Sequence, residues 1–357
     1  MDDLADACRR VLEAGWDPAG YTKPSPERYP WQWLWDSCFH ALVWARLGDE
    51  RCVVELARLL SFMDADGFVP HVIYAPHESP HASFWGRVDT SSITQPPMHG
   101  HALAELVRAG VHVPDVLLER SAAALGFLLR VRRRHPSGLV RLCHPWESGA
   151  DDSPRWDRWY GDDRFAAKGA LLEALVCTAG GAPIDNPAFD VASASFNALV
   201  AFNARELASV GPDIDVDDIV DALEWDPPAR TWPDAGGSAV RTLDALLPAL
   251  VSPLDEVFDD LVAPSAYGAR CGPTGVHRDE PSFNPTSYWR GSSWPQLSYL
   301  LWVAATRAGR DDVAAVLGRS LVEGAAQSGF AEHWNPDDAA PLGAVPQSWA
   351  TLALLVA

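Results

Sequence analysis

Lysine is almost missing: Lys23 and Lys168 are the only two in 357 residues, and the formal net charge is −20. No basic stripe can be drawn along such a chain, which excludes the electrostatic footprint of nucleic-acid or anionic-membrane binding. No apolar run approaches the roughly 18 residues of a membrane span. The opening MDDLADACRR carries acids where a secretory leader carries bases, so a cytoplasmic protein is expected. Cys8, Cys38, Cys52, Cys143, Cys177 and Cys271 are scattered without CxxC pairs, and are expected as buried free thiols in place of disulfides or zinc ligands. Convincing period-two alternation is lacking, as are exact repeats and low-complexity tracts. The best candidate linker, residues 212–230, is too short to divide the chain. A single domain over 1–357 is expected, with a 48% hydrophobic content able to fill a sizeable core.

What is present is helical periodicity. Apolar residues recur at helix spacing over 2–14, 36–47, 50–63, 97–109, 114–134, 164–179, 188–209, 236–251, 293–308, 311–327 and 347–357. The fold class is therefore all-α. Short connections such as LGDE (47–50) and AGRD (308–311) roughly alternate with long loops rich in Trp, Pro, Asp and Gly. In an antiparallel helical array that alternation sends the long loops to one end, where distant residues converge. A toroid of helix pairs, the (α/α)6 barrel, has this geometry.

The chemistry sits in those loops: 21–37, 64–101, 144–160, 282–296 and 330–349. Most of the sixteen tryptophans fall in or beside them. Tryptophan beside Pro, Gly and Asp in loops is costly to leave in water, and an aromatic-walled cavity explains the placement. Sugars offer one apolar C–H face and a rim of hydroxyls, which suits Trp platforms edged by Asp, Gln and Arg. The histidines of PHESPH (76–81) and MHGH (98–101) lack the helical HExxH context of a zinc site. DADGF (64–68) lacks the downstream Glu of an EF-hand. No metal ligand is assigned and no cofactor is expected.

The motifs YPWQWLWDSCFHAL, TSSITQPP, WESGADDSPRW, YWRGSSW and FAEHWNP…G…SW, in that order, resemble glycoside hydrolase family 63 and its bacterial mannosylglycerate and glucosylglycerate hydrolases. Family 37 trehalases share a weaker version. The likeness spans roughly 21–357 and implies an (α/α)6 barrel and hydrolysis of α-glycosides with inversion. Compared with that family, the stretches between motifs are compact.

Inversion needs two carboxyl groups on opposite sides of the anomeric carbon, about 6.5–9.5 Å apart. The resemblance implies Asp151 as general acid, although a second acid, Asp152, stands where relatives often have Asn and competes for the role. It implies Glu332 as general base; Asp337 and Asp338 in the same loop read as solvated. Trp35, Asp36 and Gln95 match the family's sugar pocket, with Asp36 equally placed to cap the following helix. Trp146 is expected to wall the sugar, and Glu147 to bind hydroxyls or form a supporting salt bridge. Gly149, Trp289, Arg290, Gly291 and Trp294 follow the family pattern, Arg290 being as readily structural as substrate-binding. Tyr21, Trp31 and Trp349 complete the expected substrate-binding set.

The partner is then a small carbohydrate, a glucoside or mannoside such as a glycosylglycerate, or a disaccharide in the manner of trehalase. A sugar epimerase or isomerase working through histidines, or a non-catalytic carbohydrate-binding protein, are the readings from other classes. Oligomeric state is open, as is the residue that would meet an acidic leaving group; Lys23, Arg87, Arg155, Arg158 and Arg164 are the available cations.

Overall fold

The computed structural model describes residues 2–357. Along the chain, helical segments alternate between an outer and an inner ring. The inner elements are Leu34–Arg46, His99–Arg108, Ala194–Ala208, Asp244–Leu250, Pro295–Arg307 and Ser348–Leu355. Each packs against the next and the last packs against the first, so the ring closes. Between them run the outer helices Asp2–Gly15, Arg51–Ser61, Asp115–Arg130, Asp217–Asp221, Asp255–Val262 and Asp311–Gln327. This is the (α/α)6 barrel expected from the loop alternation.

The two rings differ in sequence for a physical reason. Ala194–Ala208 is buried on almost every side, and it is apolar or small almost throughout, as a helix between two layers must be. Arg51–Ser61 buries only the stripe Cys52, Glu55, Leu56, Leu59 and Leu60 and presents its other face to water. Asp2–Gly15 packs on Ser348–Leu355, so the two ends of the chain meet; the Cys8 thiol donates to the Thr351 carbonyl there at 3.7 Å.

Two inner elements are 3-10 helices where α-helix periodicity had been read. Asp244–Leu250 contains Pro248, which has no N–H to donate. In Ser348–Leu355 the Thr351 hydroxyl bonds the Ser348 carbonyl at 2.5 Å, a local competitor to the helical ladder. A 3-10 segment rises about 2 Å per residue against 1.5 Å for an α-helix, so few residues span the barrel wall.

Other boundaries also move. The helix expected over 164–179 stops at Glu173, and Val176–Cys177 turns back to pair with Pro183–Asp185. That hairpin leaves Cys177 exposed, whereas the other five cysteines are buried, and none is paired. The helix expected from 188 begins only at Ala194, because the backbone before it is engaged elsewhere: Leu142 donates to the Val191 carbonyl and Ala192 bridges Ala235. Among the described residues no helix is long and apolar enough to cross a membrane.

The long loops are pinned by very short ladders. Gln32–Trp33 pairs antiparallel with Val72–Ile73, and His333–Trp334 with Pro341–Leu342; Trp334 also bridges Ser293. These few hydrogen bonds fix loops that would otherwise lack a partner for their backbone.

Candidate active site

Five loops converge on a cavity of about 400 Å³. Asp36 reaches it from the first turn of Leu34–Arg46; the helix begins two residues earlier, so Asp36 is not the N-cap. The Gln347 side-chain amide donates to Asp36 at 3.3 Å, and burial pushes the Asp36 carboxyl up to about 6. Trp35 and Trp349 meet edge to face at 5.8 Å on one wall. Trp289 forms another, in the left-handed conformation (φ 58°) and stacked on Trp294 at 3.8 Å, with His333 stacked on the far face of Trp294 at 4.4 Å. The indole N–H groups of Trp33 and Trp289, both lining the cavity, have no hydrogen-bond partner among the described residues. Such donors suit a polar ligand.

Glu332 lies buried on this cavity. The Tyr29 hydroxyl donates to its Oε1 at 3.0 Å and the Ala344 N–H to its Oε2 at 2.9 Å. Burial raises its carboxyl above the ordinary range, while these two donors and Arg28 oppose the rise. Gly343 makes the arrangement sterically possible: it has φ 75°, and a Cβ there would lie 2.4 Å from the Glu332 carboxylate.

Asp151 lines the same cavity from the loop 144–160. Burial pushes its carboxyl up to about 7, with Asp152, Glu332 and Asp36 adding to the rise and Lys168 opposing it. The Tyr160 hydroxyl holds the Asp151 carbonyl at 2.6 Å, and the Trp156 indole holds the Ala150 carbonyl at 2.8 Å. Asp152 points away and accepts from Lys168 at 2.7 Å. Gly149 has φ 75° and lies against the Trp35 ring, which a Cβ would meet at 2.6 Å.

A second, larger space of about 810 Å³ adjoins the first, and Tyr29, Trp33, Gln95 and Asp151 border both. Trp31 and Trp146 line this outer chamber only, so neither shares the inner chamber with Asp36 and Glu332. Glu332 lines the inner chamber only.

Several expected residues line neither space. Glu147 is buried in a two-pronged ion pair with Arg132, at 2.5 and 2.8 Å, and accepts from the Thr94 and Cys143 N–H groups. It joins the 144–160 loop to the Gln95 loop, the supporting role left open for it. Arg290 pairs with Asp157 across the rim. Gly291 packs on the Asn284 carbonyl, Trp294 is buried behind Trp289, and Tyr21 is buried with its hydroxyl on the Pro30 carbonyl at 3.3 Å. None of Lys23, Arg87, Arg155, Arg158 and Arg164 reaches either chamber; Arg155 is buried between Asp234 and Asp244. Tyr29, Trp33 and Tyr288 line the inner chamber without having been singled out, although each belongs to a recognised motif. Gln347 was missed because its role depends on meeting Asp36, 311 positions away.

His101, Glu105 and Glu206 come close together, but Arg108 and Arg307 already hold Glu206. Asp64 of DADGF accepts the Asp66 and Phe68 N–H groups at 3.0 Å, the bonds of a local turn.

A family model described as the mannosylglycerate hydrolase MGH1-like glycoside hydrolase domain matches residues 29–350, which takes in every chamber-lining residue but Pro24 and Arg28 and all five motif loops but residues 21–28 of the first. The chain belongs to this glycoside hydrolase family. Its curated relatives include the mannosylglycerate hydrolase of Rubrobacter radiotolerans, 28% identical over 100% of this chain and 96% of its own. The glucosylglycerate hydrolase of Mycolicibacterium hassiacum is also 28% identical, over 96% and 95%. A solved GH63 mannosylglycerate hydrolase from Thermus thermophilus, in complex with glucose, is 26% identical, with a TM-score of 0.83 and 99% of each chain covered. The alignment to the Rubrobacter protein runs over 431 positions against 357 residues here, so 74 positions (431 less 357) fall opposite gaps in this chain. The chain is accordingly shorter than that relative over the aligned region.

Proposed function

We propose that this glycoside hydrolase cleaves an α-linked glucosyl or mannosyl unit with inversion, Asp151 acting as general acid and Glu332 as general base. One observation carries the reading: Asp151 borders both chambers, whereas Glu332 lines only the inner one. With a sugar ring in the inner chamber, the bond to be cut lies at the border, beside Asp151. A water bound by Glu332 then approaches from the far side.

The electrostatics fit these roles. An acid held up to about 7 still carries its proton near neutrality, ready to pass to the leaving oxygen. Glu332, with Tyr29 and Ala344 fixing its oxygens, is oriented to take a proton from water. Asp36, Gln95 and Gln347 supply acceptors and donors for ring hydroxyls, and Trp35, Trp289 and Trp349 supply apolar faces. The relatives' names supply the glycone, a mannosyl or glucosyl group, and glycosylglycerates are the first substrates to try.

The test is NMR of early product, before mutarotation, from α-glucosides and α-mannosides. The β-sugar is expected first; the α-anomer appearing first would exclude inversion. Asp151→Asn should slow ordinary glycosides by about 100-fold or more, yet largely spare an α-glycosyl fluoride, whose leaving group needs no proton. Equal losses on both substrates would remove Asp151 from the acid role.

A further inference from the structure

We infer that the outer chamber selects a leaving group with an extended apolar ring system, an aryl-bearing or polycyclic alcohol, in preference to glycerate or a second sugar. The inference rests on the reading above, in which the outer chamber receives the leaving group. Size is the first argument. The outer chamber measures about 810 Å³ with its open mouth, twice the 400 Å³ of the inner one, and about 290 Å³ of it admits a water-sized sphere against about 50 Å³ there. Aromatic-lined spaces of this size take drug-sized ligands, whereas glycerate has only seven non-hydrogen atoms.

The walls are the second argument. Trp31, Tyr74, Phe84, Trp85, Trp146 and Phe165 surround the chamber. Trp31 meets Tyr74 edge to face at 5.0 Å, and Phe84 stacks on Phe165 at 5.5 Å. Phe165 stays 68% exposed, an apolar ring left in water at the rim.

The third argument is that two of the polar side chains there are already engaged. The Tyr74 hydroxyl accepts from the Trp85 indole at 2.7 Å, and the His71 Nδ1 meets the Ser91 hydroxyl at 2.5 Å. Arg28 alone among the lining residues is a permanent cation, and it is exposed. An anionic leaving group would rely on that single guanidinium against a net charge of −20.

The experiment uses the full chain and α-glucosides and α-mannosides of 2-naphthylmethanol, D-glycerate and glucose, all aliphatic alcohols, with the matching α-glycosyl fluorides alongside. We expect kcat/KM on the naphthylmethyl glycoside to exceed that on the other two by about tenfold or more, mainly through KM. Phe165→Ala, at an exposed position, should lower the naphthylmethyl-to-fluoride ratio of kcat/KM about fivefold. Turnover of the fluoride together with a preference for the glyceryl or disaccharide substrate overturns this inference and leaves the hydrolase reading standing. An unchanged ratio in Phe165→Ala also overturns it. No turnover of any substrate, fluoride included, overturns the hydrolase reading and this inference with it.

Discussion

Asp151 carries an unusual electrostatic load for a carboxyl: burial and three neighbouring carboxylates push it up, and Lys168 alone pulls it down. As the proposed acid it must be protonated, so kcat/KM is expected to fall as pH rises through about 7. Replacing Lys168 with Met removes the cation that favours the ionised form, and the alkaline limb should move upward; a limb that moves down or stays fixed would contradict the account. The same shift bears on stability. A carboxyl held above its unfolded value of roughly 3.9 leaves the fold intact below that value and weakens it as pH rises through the folded one. Asp151→Asn is therefore expected to stabilise the protein at pH 8 by about 2 kcal/mol, with no gain at pH 4. Urea denaturation at the two pH values tests this, and an equal change at both would trace the effect to packing.

At the scale of elements, the site depends on loops tied to one another more than on the helices they connect. Glu147, paired with Arg132, fastens the 144–160 loop to the Gln95 loop through the Thr94 N–H, and Arg155 with Asp234 fastens it to the start of Ala194–Ala208. Both ion pairs are buried. Breaking one leaves an uncompensated charge inside the protein, so Arg132→Met is expected to cost about 3–5 kcal/mol and to lower the melting temperature. Arg290→Met, at the rim pair with Asp157, should change stability by less than about 1 kcal/mol. Comparable losses from the two, read by thermal denaturation, would show that the buried pair is not an anchor. The mixture of Trp and acid residues in the 144–160 loop finds its explanation here: one carboxylate faces the cavity, one neutralises Arg132, one binds Lys168 and one pairs with rim arginines.

Across the whole molecule, closure of the ring brings Gln347 and Trp349, from the end of the chain, against Asp36 and Trp35 near its beginning. The acidic excess works against this compactness through self-repulsion. Raising ionic strength from about 0.01 M to about 0.15 M shortens the screening length from about 30 Å to about 8 Å, and the melting temperature is expected to rise. A falling melting temperature would mean that favourable surface pairs, such as those of Arg310 with Asp259 and Asp312, outweigh the repulsion.

Helical periodicity and the alternation of loop lengths were enough to read the barrel, because burial pattern and connection length are local properties. The motif loops likewise revealed Asp151, Glu332, Asp36 and Gln95 as residues of one site through their resemblance to a known family. Three things waited for the tertiary structure. Trp146 and Glu147 are adjacent in the chain, yet one lines the outer chamber and the other is sealed in an ion pair, because a tight 3-10 turn points them to different neighbours. Which of Asp151 and Asp152 faces the cavity was decided by Lys168, which claims the second from a helix several residues on. The size and aromatic lining of the outer chamber arose from residues 28–33, 71–85, 146 and 165 together, a grouping with no period and no motif, which exists only once the loops have folded over the same end of the barrel.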